Sequence, residues 1–347
     1  MTSPVDLLTD LVAIPSPSYA EHEVAACLVG HLHRLGFAAH LDAAGNAVGV
    51  LDRGPGPSVL LLGHIDTVPG GPPLRVTADA VHGRGAVDAK GPMAALTCGA
   101  AQATGFRGRL TVVGAVEEET PGSRGAMAVR DYLPRPDAVI VGEPSGWSDV
   151  VLGYKGKLDL RVRADCPGAH PSAPYPRAVE LATRAWAVLL DEIGADPADP
   201  ASAHRNFADP AATLTLLRGD PEHAEAEMSV RTPPGFDVDA CVAAVRARVP
   251  AATVTVLNSV RACRVRRGDP VVRALSGAIR AEGGEPGAKV KTATSDMNTL
   301  SEVWSVPMAT YGPGDSRLDH SDDEHIRIDD FLRGVAVVER ALTSLSL

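Results

Sequence analysis

Cysteine is scarce in this chain, and the few that it has do not suit the structures that depend on cysteine. The 347 residues include five cysteines, an odd number, and these are scattered along the sequence. Their spacing matches neither a zinc finger nor a disulfide framework. We therefore expect the protein in the cytoplasm. We also expect no secretory signal, because no basic segment precedes an apolar core at the N-terminus.

Long apolar runs and an excess of positive charge are also missing. No apolar run approaches the roughly 20 residues that a membrane helix needs. The formal net charge is −10, which argues against general nucleic-acid binding. The hydrophobic content of 45% and the charged content of 22% are typical of a globular protein. We therefore expect no membrane and no nucleic acid among its partners.

Strands and helices alternate along the chain to about residue 150. This alternation predicts an α/β domain with a parallel-rich mixed sheet flanked by helices. Beyond this point the pattern becomes β-α-β-β-α-β, which is typical of an α+β sandwich. We predict one domain formed by residues 1–153 and 267–347, with an inserted α+β domain at residues 154–266.

Imidazole and carboxylate side chains follow the apolar runs that read as buried strands. His64 and Asp66 end the first of these runs and, two residues apart, share one face of a strand. Further side chains of the same kinds occupy strand ends or Gly-rich loops: Asp88, Glu117, Glu118, Glu119, Glu143 and His320. Ligands bind beyond the carboxyl ends of such strands, and consecutive glutamates repel one another unless cations neutralise them. This pattern predicts a divalent-metal site.

These motifs, in this order and over nearly the whole chain, resemble the dizinc aminoacylase and carboxypeptidase family, which includes acetylornithine deacetylase and succinyl-diaminopimelate desuccinylase. Within that family, residues 114–119, 293–298 and 311–321 are most similar to hydrolases that release lysine or ornithine from an acidic amino-group carrier protein. The resemblance implies a metal-dependent amide hydrolase of lysine or arginine biosynthesis. It also implies two Zn²⁺ ions per subunit, with Co²⁺ as a plausible substitute.

The resemblance also implies a role for each candidate ligand. Asp88 would bridge the two ions. His64 and Glu143 would complete one site, and Glu119 and His320 would complete the other.

Two residues beside the ligands would take part in the chemistry. Asp66 would orient the His64 imidazole, and Glu118 would be the general base. The register of the glutamate triplet stays open, because the family usually has Asp-Glu-Glu where this chain has three glutamates. Glu118 and Glu119 keep the usual spacing to Glu143, and the alternative pair is Glu117 and Glu118.

The inserted domain resembles the family's lid, which pairs with its twin to form a homodimer. His170 resembles the lid histidine that reaches the neighbouring subunit's active site and helps to hold the oxyanion. Arg231 resembles the lid arginine that grips a substrate carboxylate, a task that suits a bidentate guanidinium. Asp296 and Asn298 would line the substrate pocket, with Asp296 as a partner for a substrate ammonium group.

Three functions compete at this point. The first is release of lysine, ornithine or a related amino acid from the terminal glutamate of the carrier. Basic clusters such as Arg264, Arg266 and Arg267 favour this function, because they could form a docking surface for an acidic protein. The alternative is the same chemistry on a small substrate, as an N-acyl-amino-acid deacylase or carboxypeptidase. The third is a binding protein without activity, against which the complete ligand set and base argue.

Overall fold

The computed structural model describes residues 3–170, 172–196, 198–199 and 206–345. The chain forms one unit, leaves it to build a second, and then returns. The first unit comprises Met1–Gly153, Val265–Val290 and Ser295–Leu347, and the inserted unit comprises Tyr154–Arg264 and Lys291–Thr294. The sequence-based boundaries at 153 and 267 lie close to these. Nothing in the sequence indicates that the short segment Lys291–Thr294 also belongs to the inserted unit.

The chain before the inserted unit contains short helices and strands. In chain order they are α1 (Pro4–Ala13), α2 (His22–Arg34), β1 (Ala38–Leu41), β2 (Ala47–Asp52), β3 (Ser58–His64), β4 (Arg75–Val76), β5 (Ala80–His82), α3 (Lys90–Gln102), β6 (Arg109–Ala115), α4 (Arg124–Tyr132), β7 (Ala138–Gly142) and β8 (Asp149–Tyr154). Ser3 caps α1 by accepting a hydrogen bond from the Val5 backbone N–H.

The inserted unit has its own sheet and its own core. Its elements are β9 (Gly156–Asp165), α5 (Ala178–Glu192), β10 (Ala211–Gly219), β11 (His223–Thr232), α6 (Val238–Arg248), β12 (Thr253–Val260) and β13 (Cys263–Arg264). Four strands pair antiparallel in the order β10-β11-β9-β12. Buried and more exposed residues alternate along β9, as expected for a sheet with one face on the core.

The chain then completes the first unit. The returning elements are α7 (Pro270–Ala281), β14 (Gly287–Lys291), α8 (Asp296–Ser301), β15 (Met308–Thr310), β16 (His325–Arg327) and α9 (Ile328–Ser344). Strands β16, β5 and β4 form a small antiparallel sheet in that order. No helix among the residues that the model describes is long and apolar enough to cross a membrane.

The main sheet of the first unit brings the predicted site residues to one edge. Its path there runs β1-β2-β6-β3-β7-β15-β8, and β6, β3, β7 and β15 are mutually parallel neighbours. Their carboxyl ends therefore share an edge, as the α/β prediction requires. Helix α3 is buried along most of its length against these strands, because its Ala- and Gly-rich sequence permits close packing. The predicted fold class, a parallel-rich mixed sheet flanked by helices, is confirmed.

Candidate metal centre

The Asp88 carboxylate lies between two histidines. Its Oδ1 is 3.2 Å from Nε2 of His64, and its Oδ2 is 3.0 Å from Nε2 of His320. His64 ends strand β3, Asp88 lies in the Gly-rich turn before α3, and His320 comes from the loop after β15. Each oxygen of one carboxylate thus faces its own imidazole, which is the arrangement expected of a ligand that bridges two ions.

The other predicted ligands complete two groups around Asp88. His64, Asp88 and Glu143 form one group, and Asp88, Glu119 and His320 form the other, with ligand atoms within 4.8 Å of one another in each. Glu143 Oε1 is 3.8 Å from His64 Nε2, and Glu119 Oε1 is 2.8 Å from His320 Nε2. The fold therefore brings together all the residues that the sequence nominated as metal ligands.

Hydrogen bonding fixes the tautomer of His64. Its Nδ1 lies 2.9 Å from the backbone carbonyl oxygen of Asp66, and a carbonyl oxygen can only accept, so Nδ1 carries the hydrogen. Nε2, directed at Asp88, is then free to bind a cation. The sequence suggested Asp66 as the orienting residue, and the structure places its main-chain oxygen nearer than its side chain, whose Oδ1 is 3.5 Å from Nδ1.

The Asp66 carboxylate holds the backbone of the glutamate triplet. It accepts hydrogen bonds from the backbone N–H of Glu118 at 3.0 Å and of Glu119 at 3.1 Å. It also accepts one from the Ser18 hydroxyl at 2.8 Å. Asp66 is fully buried, so these bonds are shielded from water and set the direction in which the chain leaves β6.

The three glutamates point to different partners. Glu117 adopts a left-handed backbone conformation, with φ of 59°, and its Oε1 accepts a hydrogen bond from Arg124 Nε at 2.7 Å. Glu119 faces His320. Burial and the charge of Glu143 raise the pKa of Glu118 well above its usual value. In this arrangement Glu118 and Glu119 lie with the candidate ligands, and Glu117 forms an ion pair beside them.

The carboxylates of the cluster outnumber its histidines, and their negative charge raises the pKa values of both imidazoles. Hydrogen bonds to Asp88 and Glu119 raise the pKa of His320 to about 10. Burial acts to lower the pKa of His64, but its bonds to Asp66 and Asp88 outweigh burial and hold that pKa well above normal. The His320 imidazole is therefore protonated at neutral pH without metal. Because a metal ion binds the neutral imidazole, loading the site must release protons.

Asp296 is a buried carboxylate beside this cluster. It is 1% exposed, its Oδ1 has no hydrogen-bond partner among the described residues, and burial raises its pKa to about 7. Asp296 is the first residue of α8, where Ser295 caps the helix and the Asn298 side chain accepts a hydrogen bond from the Ser295 backbone N–H at 2.9 Å. The Asn298 side chain is thus used in the helix cap, and its predicted contact with substrate stays a prediction.

The predicted lid residues belong to the inserted unit. Arg231 lies on β11, and its Nη1 donates to Thr294 Oγ1 at 3.3 Å. Burial lowers the pKa of Arg231. His170 is exposed, with Nδ1 2.8 Å from Ser172 Oγ. The roles that the sequence suggested for these two residues stay predictions.

Glu324 positions the turn that contains Asp88. The sequence alone suggested only that Glu324 has a structural role. It is 0% exposed, and its Oε1 accepts hydrogen bonds from the backbone N–H of Gly85 at 3.0 Å, Val87 at 2.9 Å and Asp88 at 3.1 Å. Its Oε2 is 2.5 Å from Arg84 Nη1. One buried carboxylate therefore holds the turn that presents Asp88, and its position four residues after His320 is the signal in the sequence.

The donor set fits divalent metal ions. Two imidazoles and three carboxylates converge, and zinc accepts both ligand types. Burying this many carboxylates together costs free energy unless cations balance them. A pair of divalent ions would satisfy both requirements, with one group of three side chains available to hold each ion.

Comparison with known proteins identifies the family. Residues 60–344 match the model of Peptidase family M20/M25/M40, and the chain belongs to this family of hydrolases.

Similar proteins in the family carry more specific names. The LysW-lysine hydrolase of Deinococcus radiodurans is 41% identical over 98% of this chain and 96% of its own length. The LysW-lysine/LysW-ornithine hydrolase of Saccharolobus islandicus is 26% identical over 98% of this chain and 95% of its own.

Solved structures agree on the fold at lower identity. An M20 metallo-carboxypeptidase from Sulfolobus solfataricus matches with a TM-score of 0.79 at 18% identity, over 99% of both chains. A dinuclear metal-binding M20 peptidase from Bacillus subtilis matches with a TM-score of 0.73 at 13% identity, over 99% of this chain and 97% of its own. At these identities the comparison concerns the fold.

Substituting Glu324 should weaken metal binding without unfolding the protein. In Glu324→Gln the amide oxygen can still accept the backbone hydrogen bonds, but the charge opposite Arg84 is lost and an N–H₂ group replaces one oxygen. We expect metal affinity to fall about 10–100-fold, as is usual when a partner of a ligand is lost. Competition with a chromogenic chelator measures the affinity, and circular dichroism checks the fold.

Glu302→Gln is the matched control for this substitution. Glu302 forms an ion pair with Arg130 at 3.2 Å, away from the Asp88 turn, so its loss should leave metal affinity unchanged. Wild-type affinity in a folded Glu324→Gln protein would show that the Asp88 turn holds itself in place.

Proposed function

We propose that this protein is a dizinc amide hydrolase that releases lysine, ornithine or a related amino acid from the C-terminal glutamate of an acidic amino-group carrier protein. The single observation that carries the hydrolase assignment is the Asp88 carboxylate between His64 and His320, with the half-buried Glu118 beside it. The carrier substrate is supported by the names of full-length relatives, including one that is 41% identical.

The proposed ligand sets follow the two groups of side chains. His64 and Glu143 would hold one ion, Glu119 and His320 the other, and Asp88 both. Bound zinc would polarise the amide carbonyl and lower the pKa of a water molecule, and cobalt could substitute for it. Asp66 and Glu324 would hold these ligands in register through the bonds that they accept from the backbone.

Glu118 is the proposed general base. Its burial raises its pKa, and a carboxylate with a raised pKa can take a proton from the attacking water and pass it to the departing amine. Glu117 is a poor alternative because its carboxylate is engaged by Arg124 at 2.6 Å.

Substituting the glutamates one at a time separates the base from the ligand. Glu118→Gln should retain metal and lose rate by about 10²–10⁴-fold, the usual size of a lost general base. Glu119→Gln should lose metal affinity first. Glu117→Gln is the matched control and should keep both metal and rate. The measurements are metal content and single-turnover hydrolysis, and a Glu117→Gln variant that holds metal but does not turn over would assign the base to Glu117.

Two charged side chains are proposed for substrate recognition. Asp296 is buried and one of its oxygens has no hydrogen-bond partner in the part of the chain that the structure describes, so it suits the ammonium group of a basic amino acid. Arg231 suits a substrate carboxylate, and Asn298 would support Asp296 by capping α8.

The proposed docking surface consists of Arg266 and Arg267, with Arg264 beside them in sequence. Arg266 and Arg267 are exposed. The Arg264 guanidinium lies 5.6 Å from the centre of the Phe207 ring, so replacing it would also disturb packing. An acidic carrier would be attracted to these charges at long range.

Charge reversal at this surface should affect the carrier substrate alone. Arg266→Glu/Arg267→Glu should lower kcat/KM for carrier-linked lysine and leave a short acyl-lysine mimic unaffected. Raising the salt from about 0.1 M to about 1 M should weaken carrier hydrolysis in the wild type, because the Debye length falls from about 10 Å to about 3 Å.

Two further variants make the comparison specific. Arg184→Glu/Arg280→Glu reverses exposed arginines on α5 and α7 and should spare both substrates. Asp296→Asn should raise KM for both, since it acts on the released amino acid. Equal loss on carrier and mimic in Arg266→Glu/Arg267→Glu would favour a small-substrate deacylase or carboxypeptidase.

A homodimer formed through the inserted unit is also proposed, with His170 acting in the partner's active site. His170 is exposed in its own chain and is therefore available to a second copy. Mixing inactive His170→Ala with inactive Glu118→Gln should restore activity, because a mixed dimer contains one intact site. Absence of recovery after demonstrated subunit exchange would place His170 outside the partner's site.

A further inference from the structure

Two histidines face each other on the small sheet beside the metal centre. His82 on β5 and His325 on β16 are directly paired across antiparallel strands. Their ring centroids are 4.9 Å apart, with an angle of 31° between the planes. The Asp323 side chain joins them, and a ligand atom from each of the three lies within 4.8 Å of the others.

Hydrogen bonding prepares His325 in the same way as His64. Nδ1 of His325 lies 2.7 Å from the backbone carbonyl oxygen of Asp323. Because that oxygen can only accept, Nδ1 carries the hydrogen and Nε2 keeps its lone pair. In both histidines a carbonyl two residues away holds the ring, an arrangement that is typical of metal-ligating imidazoles.

Both imidazoles can be reached from solvent. The side chain of His325 is 28% exposed and that of Asp323 is 82% exposed. Partial burial and the nearby Arg75 guanidinium lower the pKa of His82, which keeps its ring neutral.

We infer that His82, His325 and Asp323 bind a divalent cation of the zinc type, at a site separate from the candidate metal centre. Two imidazoles and one carboxylate are ligands that zinc, nickel and copper accept, and they leave coordination positions open to water. The preformed contact between the rings reduces the cost of bringing the ligands together.

The position of this site connects it to the Asp88 turn. Strand β5 leads directly into that turn, and His325 follows Glu324, whose carboxylate holds the Asp88 backbone N–H. An ion between His82 and His325 would tie β5 to β16 at this point. It should therefore stabilise the folded protein, as any ligand of the native state does.

Arg75 is the competing cation at the site. Its Nη2 is 3.2 Å from Nδ1 and 3.0 Å from Nε2 of His82. Arg75 is exposed on the short edge strand β4, so its side chain can move aside when an ion binds. Removing its charge should strengthen binding.

The test counts zinc ions in tag-free, full-length protein. After equilibrium dialysis against Zn²⁺, the wild type should hold one ion per chain more than His82→Ala/His325→Ala, and zinc should raise the melting temperature less in the variant. His223→Ala is the matched control, because His223 and Asp165 form an exposed pair at 2.8 Å that is not part of any three-ligand group among the described residues. Its zinc content should equal that of the wild type.

Three further results decide the proposal. Zinc-edge anomalous diffraction should show a peak between the His82 and His325 rings, and Arg75→Gln should bind the ion more tightly than the wild type. His64→Ala/His320→Ala should lose the ions of the candidate centre and keep this one, which separates the inference from the proposed dizinc function. Equal zinc content in the wild type and in folded His82→Ala/His325→Ala, or weaker binding in Arg75→Gln, would overturn it.

Discussion

The contact of one carboxylate with two imidazoles is the interaction on which the rest of the candidate centre depends. Asp88 faces His64 and His320 at 3.2 Å and 3.0 Å, and Glu119 and Glu143 extend the arrangement on either side. Such a concentration of buried acids is costly in a low dielectric. A proton on His320 lowers this cost when no ion is bound, and divalent cations would remove it. The charge of the cluster would therefore favour the binding of metal ions.

Two further carboxylates accept hydrogen bonds from the backbone and are not candidate metal ligands. Asp66 accepts the N–H groups of Glu118 and Glu119, and Glu324 accepts those of Gly85, Val87 and Asp88. Each is fully buried and binds several donors with one charge. Charge-assisted bonds of this kind are stronger than neutral ones and direct a turn with little freedom. The ligands are consequently held in place by residues that do not belong to the ligand set.

The candidate metal centre and the side chains proposed for substrate recognition depend on different features of the chain. The main sheet, with its parallel core and buried α3, belongs to the fold that the chain shares with M20 proteins of 13% to 18% identity, and its carboxyl edge presents the candidate ligands. Recognition of a particular amino acid, or of a carrier protein, depends on side chains that the fold does not dictate. The side chains proposed for it here are Asp296, one oxygen of which has no hydrogen-bond partner among the described residues, and the exposed Arg266 and Arg267. A shared fold can thus serve several amide substrates.

The sequence by itself determined the fold class, and it nominated a division of the chain and a set of candidate metal ligands, because each depends on local pattern. Apolar runs mark buried strands, and a functional residue at the end of such a run must lie at the sheet edge. Local pattern favoured Glu119 over Glu117 as a ligand only through its spacing to Glu143, since the conformation of a turn depends on the partners that it meets, here Arg124 and His320. It could not show that Glu324 holds the Asp88 turn, or that His82 meets His325. These pairs are more than 200 residues apart in the chain, and only tertiary packing, which the strand register and the buried hydrogen bonds fix, decides such contacts.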